Sequence, residues 1–297
     1  MIDALFLLLT FALGAVLSRV SLCAVAGMQQ AVVARDYSGI ERLLLAASGA
    51  GVLLLVFAGV APVTVLLPGA APFHAGIIVG GVLLGLGALI NGGCYLGSVL
   101  YLGSGNLNFL FTLAGIGLGA RVAEAGALLP AAATPAARMA TGFVWLGGLF
   151  GFALIIFMLT RRARFMGRWR ALLAGALAGL IYARHPGWSY GTVLDTLAHG
   201  RAGLVDWSAN LAALMLFAGA LAGARLAGRV RLQWPTLQRA LRCAVGGLVM
   251  GFGAALVPGG NDSLLLWAIP GLSAYGALAY AIMLATIGLG FLAVAAL

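Results

Sequence analysis

The chain has 297 residues, 63% of them hydrophobic and 8% charged, with a formal net charge of +10 and a mean hydropathy of +1.10. Roughly 25% of a soluble domain's residues are charged, so a soluble fold would lack the polar surface it needs. The apolar runs are long and show no period-two alternation, which excludes an outer-membrane barrel and leaves an all-α polytopic membrane protein.

The positive charge is carried entirely by arginine. The arginines cluster between apolar runs, which is the positive-inside pattern of a bacterial inner-membrane protein and not a nucleic-acid footprint. Span one covers about Ala4 to Cys23 and reads as a retained span, not a cleaved signal. After a loop with Arg35 and Arg42, span two covers Leu43 to Val60. A Pro/Gly-rich turn, LPGAAPFH, precedes span three, Ala75 to Ile90, which ends in the break Asn91-Gly92-Gly93-Cys94. Cys94 to Leu102 is too short to span and suits a re-entrant helix. Span four is Leu107 to Ala123, and span five, Gly142 to Leu159, follows a PAAATPAAR linker.

RRARFMGRWR, residues 161–170, is the strongest topology signal and predicts a cytoplasmic loop. Span six, Ala171 to Ala183, is cut short by ARHPGWSYG. Span seven is Ser208 to Leu226, and a second arginine-rich loop follows. Span eight is Ala244 to Val257, broken at PGGNDS, and span nine runs from Ala274 to the end. Counting from the two basic loops puts the N-terminus outside and the C-terminus in the cytoplasm.

The block from Gly80 matches the block from Gly246 at an offset of 166 residues: Gly80, Gly81, Gly85, Gly87 and Gly93 fall on Gly246, Gly247, Gly251, Gly253 and Gly259. The same offset carries span two onto span seven and span four onto span nine. The expectation is one membrane domain, residues 1–297, with a first repeat over 1–130, a linking span over 139–160 and a second repeat over 167–297. An odd linking span inverts the second repeat, which is a transporter pattern when the repeats contain broken helices. Close helix packing through small residues explains the same glycines without a substrate path.

Cys94 follows two glycines and opens a short helix, whose free N–H groups suit an anion. Asn91, Tyr95 and Ser98 add hydrogen-bonding groups. In the other half, Gly259, Gly260, Asn261 and Asp262 occupy the corresponding break, and Asp262 belongs either at a wetter mouth or beside an arginine. Cys23, in LSRVSLC, is expected near a mouth, and Cys243 at the cytoplasmic start of span eight. Arg121 and Glu124 lie three apart and are expected to pair locally. The histidines fit no metal spacing, and no Walker motif, dinucleotide fingerprint or HExxH occurs, so neither a cofactor nor an enzyme is expected.

SRVSLC near the start, GALINGGCYLG at the first break and the second glycine block together resemble the YeeE/YedE family of sulfur-transport membrane proteins. The resemblance implies nine spans plus re-entrant helices in an hourglass, with cysteines along a central path that passes thiosulfate through transient S–H contacts. It also implies a small cytoplasmic sulfur carrier of the TusA type as partner. By residue it falls on Gly93, Cys94 and Gly97 and on Gly251, Gly253 and Gly259. Where the family continues Gly-Cys-Asn-Ile-Gly, this chain reads Gly259-Gly260-Asn261-Asp262-Ser263, so the second central thiol is missing. The substrate path is therefore expected at Asn91, Gly92, Gly93, Cys94, Tyr95, Gly97, Gly259, Gly260, Asn261 and Asp262, with Cys23 and Cys243. The competing readings are a carrier of another sulfur or selenium compound and an accessory protein that recruits the sulfur carrier.

Overall fold

The computed structural model describes residues 3–60, 67–68, 73–126, 141–160, 165–200, 207–257 and 259–295. These residues are helical, and their one bridge between extended segments pairs Asn106 with Gln233. The first half holds α1 (Ala4–Val20), α2 (Ala24–Val33), α3 (Ser38–Val60), α4 (Ala75–Asn91), α5 (Tyr95–Gly103) and α6 (Phe109–Ala125). Then come α7 (Thr141–Thr160), α8 (Phe165–Arg184), α9 (Tyr190–Ala198), α10 (Trp207–Leu226), α11 (Leu237–Leu256), the single turn α12 (Asn261–Ser263), a π-turn (Leu264–Ala268) and α13 (Ala274–Ala295).

Among the described residues, six helical segments are long and apolar enough to cross a membrane: Ala4–Val33, Ser38–Val60, Ala75–Gly103, Trp207–Leu226, Leu237–Leu256 and Ala274–Ala295. Of the remaining expected spans, α6 has 17 residues, α8 carries Arg168 and Arg170, and α7 is only partly described. Arg161 to Arg164 of the basic run, and the 127–140 linker, lie outside the described residues.

Two boundaries differ from the sequence reading for clear local reasons. Span one does not run through Cys23. Ser21 adopts a left-handed conformation (φ 56°), its N–H bonds to Leu17 O, and α1 stops at Val20. The apolar stretch continues without a polar gap, so composition hides the break that starts α2. Span six is longer than expected: α8 begins inside the basic run, because arginine is a good helix former and its stem packs along apolar surface.

The helices pack by backbone approach. α1 lies on α10, α3 on α8, α11 on both α6 and α4, and α13 on α4. A Cβ added at Gly219 would sit 2.0 Å from Phe11 O, and one at Gly251 would sit 2.1 Å from Ile116 O. Lipid gives helices no hydrophobic reason to associate, so this close contact supplies the association. At one face, the loop after α10 folds against the turn between α5 and α6. Arg231 N donates to Ser104 O, Gln233 N to Gly105 O and Leu107 N to Gln233 O, at 2.9–3.1 Å.

Gly219→Leu should therefore cost well over the roughly 1–3 kcal/mol typical of core overpacking, because the side chain meets backbone that cannot yield. The expected readout is loss of the monodisperse peak in size-exclusion chromatography at matched expression. Gly148→Ala, which meets nothing closer than 3.9 Å, should leave that peak intact.

Candidate functional site

Four short helical elements begin inside the protein, and their caps are Cys23, Cys94, Ser189 and Gly260. Cys94 and Ser189 act alike. The Cys94 sulfur accepts from Gly97 N at 3.5 Å, and the Ser189 hydroxyl accepts from Thr192 N at 3.1 Å. Cys23 and Cys94 are buried, and their sulfurs lie 3.8 Å apart, with Cys94 donating to Cys23. Ala24 N, at the start of α2, also donates to Cys94 Sγ at 3.3 Å. The Cys94 sulfur thus faces the N-terminal amides of two helices, a setting that favours negative charge on sulfur or on an anion beside it.

The surrounding geometry explains the small residues. A Cβ on Gly97 would lie 2.6 Å from Cys23 Sγ, so Gly97 admits the second sulfur. Gly93 faces the Tyr101 and Phe109 rings, which stack at 4.8 Å. Gly92 is different: it ends α4 at φ 76°, is exposed, and has open space where a side chain would go. It shapes the turn and does not face the thiols. Gly259 is also in positive-φ backbone (φ 124°) against the Ser263 hydroxyl.

Asn91 organises one side of the centre. Its Nδ2 donates to Gly93 O (2.6 Å) and Ser98 Oγ (3.3 Å), while its Oδ1 accepts from Thr112 Oγ1 (2.7 Å). Thr112 in turn lies beside the Cys243 thiol of α11. A buried polar thread therefore leads from the backbone around Cys94 through Asn91 and Thr112 to Cys243, near the exposed Arg239 and Arg242.

On the other side, Asn261 Oδ1 accepts Tyr95 N at 3.0 Å, and Tyr190 donates its hydroxyl to Tyr95 O at 2.8 Å. The Tyr95 ring fills the space beside two glycines: added Cβ atoms on Gly260 and Gly191 would lie 2.9 and 2.8 Å from it. A cavity of about 310 Å³ reaches this ring, with Gly191, Gly259 and Gly260 around it and Glu124, Asp195 and His199 at its more exposed end.

Cys94, Cys23, Tyr95, Gly97, Gly260 and Asn261 thus meet at one centre. The sequence reading placed Cys23 at a mouth; the end of α1 at Val20 turns it inward instead. Asp262 is not at a wet mouth: it is 4% exposed, and among the described residues it takes part in no ion pair. Arg121 does not pair with Glu124. Its Nη1 donates to Ala198 O, and Glu124 pairs with His199, which also contacts Asp195. Ser189, Tyr190 and Gly191 were missed as site residues. The offset of 166 carries Cys23 onto Ser189, which was the available signal.

Broken helices that begin at a buried centre are a recurring pattern of membrane transport proteins. The sequence model of the Sulphur transport family matches the chain over residues 19–171 and again over 142–289, so the chain belongs to that family, the one its resemblance to YeeE/YedE proteins pointed to. The family is one of transporters, not enzymes, and its members carry sulfur compounds. No curated protein matches the chain.

Asn91→Leu leaves Thr112, Ser98 and Gly93 O with unmet hydrogen-bonding capacity. A loss of about 1–3 kcal/mol is expected, read as a lower thermal-unfolding midpoint in detergent. A change within the scatter of surface variants would remove Asn91 as the organiser of this side.

Proposed function

We propose that the chain carries a small sulfur-containing anion, thiosulfate first among them, through the centre where the four short helices begin. The observation that carries this reading is the Cys94 sulfur. It is 1% exposed, held by two helix N-terminal amides and 3.8 Å from a second thiol. A soft S–H group and oriented N–H groups suit the sulfur and the charge of thiosulfate together, and the S–H makes contact without forming a bond.

The same proposal includes nine spans, of which the outer eight form two inverted repeats, 1–130 and 167–297, around α7. Shifting α1 through α6 by 166 residues lands on α8, α9, α10, α11, then α12 with the π-turn, and α13. Packing partners exchange accordingly: α1 on α10 mirrors α8 on α3, and α6 on α9 mirrors α13 on α2. The twofold family match and the Tyr95–Asn261 hydrogen bond, between residues 166 apart, support the same symmetry. In this reading the cavity at Tyr95 opens outside the inner membrane. The Asn91–Thr112–Cys243 thread leads to the cytoplasmic face, where the exposed Arg229, Arg231 and Trp234 would receive a TusA-type sulfur carrier.

The test is uptake of labelled thiosulfate, sulfite, sulfate and selenite into proteoliposomes. Cys94→Ala removes one sulfur and should cost only roughly 1 kcal/mol of stability, yet it should lower uptake at least about tenfold, the equivalent of a 1.4 kcal/mol barrier change. Cys23→Ala should be comparably severe because the two sulfurs are adjacent, and Cys243→Ala should be intermediate. Unchanged uptake in Cys94→Ala at matched protein level would remove the thiol from the path.

A further inference from the structure

Asp262 is the one buried charged side chain among the described residues, and the path proposed above gives it no role. It lies in α12, directly after the break that corresponds to Cys94, and is 4% exposed. Its Oδ1 has no hydrogen-bond partner and no accessible surface. That oxygen faces the same small space as the Tyr95 ring: an added Cβ on Gly260 would lie 2.7 Å from Asp262 Oδ1 and 2.9 Å from Tyr95 Cε1. Gly260 itself lines the cavity. An acid oxygen with no partner is therefore one missing methyl group away from the proposed route of an anion.

The titratable groups near enough to interact electrostatically with Asp262 are Cys94, which caps α5, Tyr95 of α5, Tyr182 of α8 and Tyr190 of α9. The π-turn packed on α12 carries none. None of the ion pairs among the described residues includes Asp262. With no cation opposite it, an ionised carboxylate here would be stranded in a low-dielectric interior and would repel the anion at the centre. A protonated carboxyl is a donor instead, and it can turn its O–H toward the space beside Gly260.

We propose that Asp262 is a proton-binding site on the path, neutral while the anion is at the centre, so that each anion enters with a proton. The inference rests on the anion-path reading above and adds the ion that travels with the solute. The proton reaches Asp262 through the cavity and past Gly260, and it moves on with the anion, leaving the carboxyl to be protonated again. No covalent bond to the solute forms or breaks. The two breaks then contribute different groups: the first contributes the thiol of Cys94, and the second the acid of Asp262, two residues beyond the matching Gly260.

Two measurements separate this proposal from the reading beneath it. The first needs no substrate. Infrared difference spectra of the purified protein in liposomes at neutral pH should contain the C=O stretch of a protonated carboxyl. The band should shift in D₂O, because the cavity gives access, and be absent from Asp262→Asn. No such band, or a band that survives in Asp262→Asn, overturns the proposal.

The second measurement uses liposomes loaded with a pH-sensitive dye and supplied with labelled thiosulfate, sulfite, sulfate or selenite. The anion that moves should acidify the lumen. Its uptake should rise severalfold as the outside pH falls from about 8 to about 6, and this ratio should collapse toward one in Asp262→Asn. Anion uptake without acidification, or an unaltered pH ratio in the variant, overturns the coupling. If none of the four anions moves in the parent protein, the anion reading fails, and the infrared band alone decides whether Asp262 binds a proton.

Discussion

A helix that begins in the interior of a membrane protein has N–H groups that no water can meet. Four short helical elements here begin that way, and the rest of the molecule is arranged around satisfying their ends. Cys94 and Ser189 cap their own helices, Asn261 accepts Tyr95 N, and Ala24 N turns to the Cys94 sulfur. The long helices make this possible by approaching at backbone distance through glycine, which leaves room in the middle for half-length elements. The proposed anion path rests on the same constraint: groups that hold helix ends without water are suited to hold an anion without water.

Much of this was legible in the sequence. The Gly-Gly-Cys break announced α5, since glycine at Gly92 permits the left-handed turn that ends α4. The offset of 166 was visible in the glycine blocks. Three features were not legible. α2 follows α1 through SLC with no polar or proline signal, so hydropathy fused the two and sent Cys23 to the wrong place. Local spacing paired Arg121 with Glu124, but α9 lies alongside α6, and its Ala198 carbonyl and His199 take those partners instead. Gly92 neighbours Cys94 in sequence, yet it stands in an exposed left-handed turn at the end of α4 with open space where a side chain would go.

Gly260 shapes the centre by leaving room for an aromatic ring. The Tyr95 ring lies where a side chain at residue 260 would go, so a cysteine there would not fit around the present position of that ring. Tyr95 is also held by its own backbone, with its N–H on Asn261 and its carbonyl on Tyr190. The two halves therefore meet at the centre through an aromatic ring and a carboxamide, whereas the paired sulfurs, Cys23 and Cys94, both belong to the first half.

The bridge between Asn106 and Gln233 ties the turn after α5 to the loop after α10 by three backbone hydrogen bonds. Thr236 N adds a fourth tie, to Asn108 Oδ1. These links join opposite halves of the chain at one face. Rocking of one half against the other would have to use this strip as its hinge or tear it open, and the cavity at Tyr95 lies away from it. Among the described residues the halves are thus tied by main chain at this face, whereas at the exposed end of the cavity side chains tie them, Arg121 to Ala198 O and Glu124 to His199.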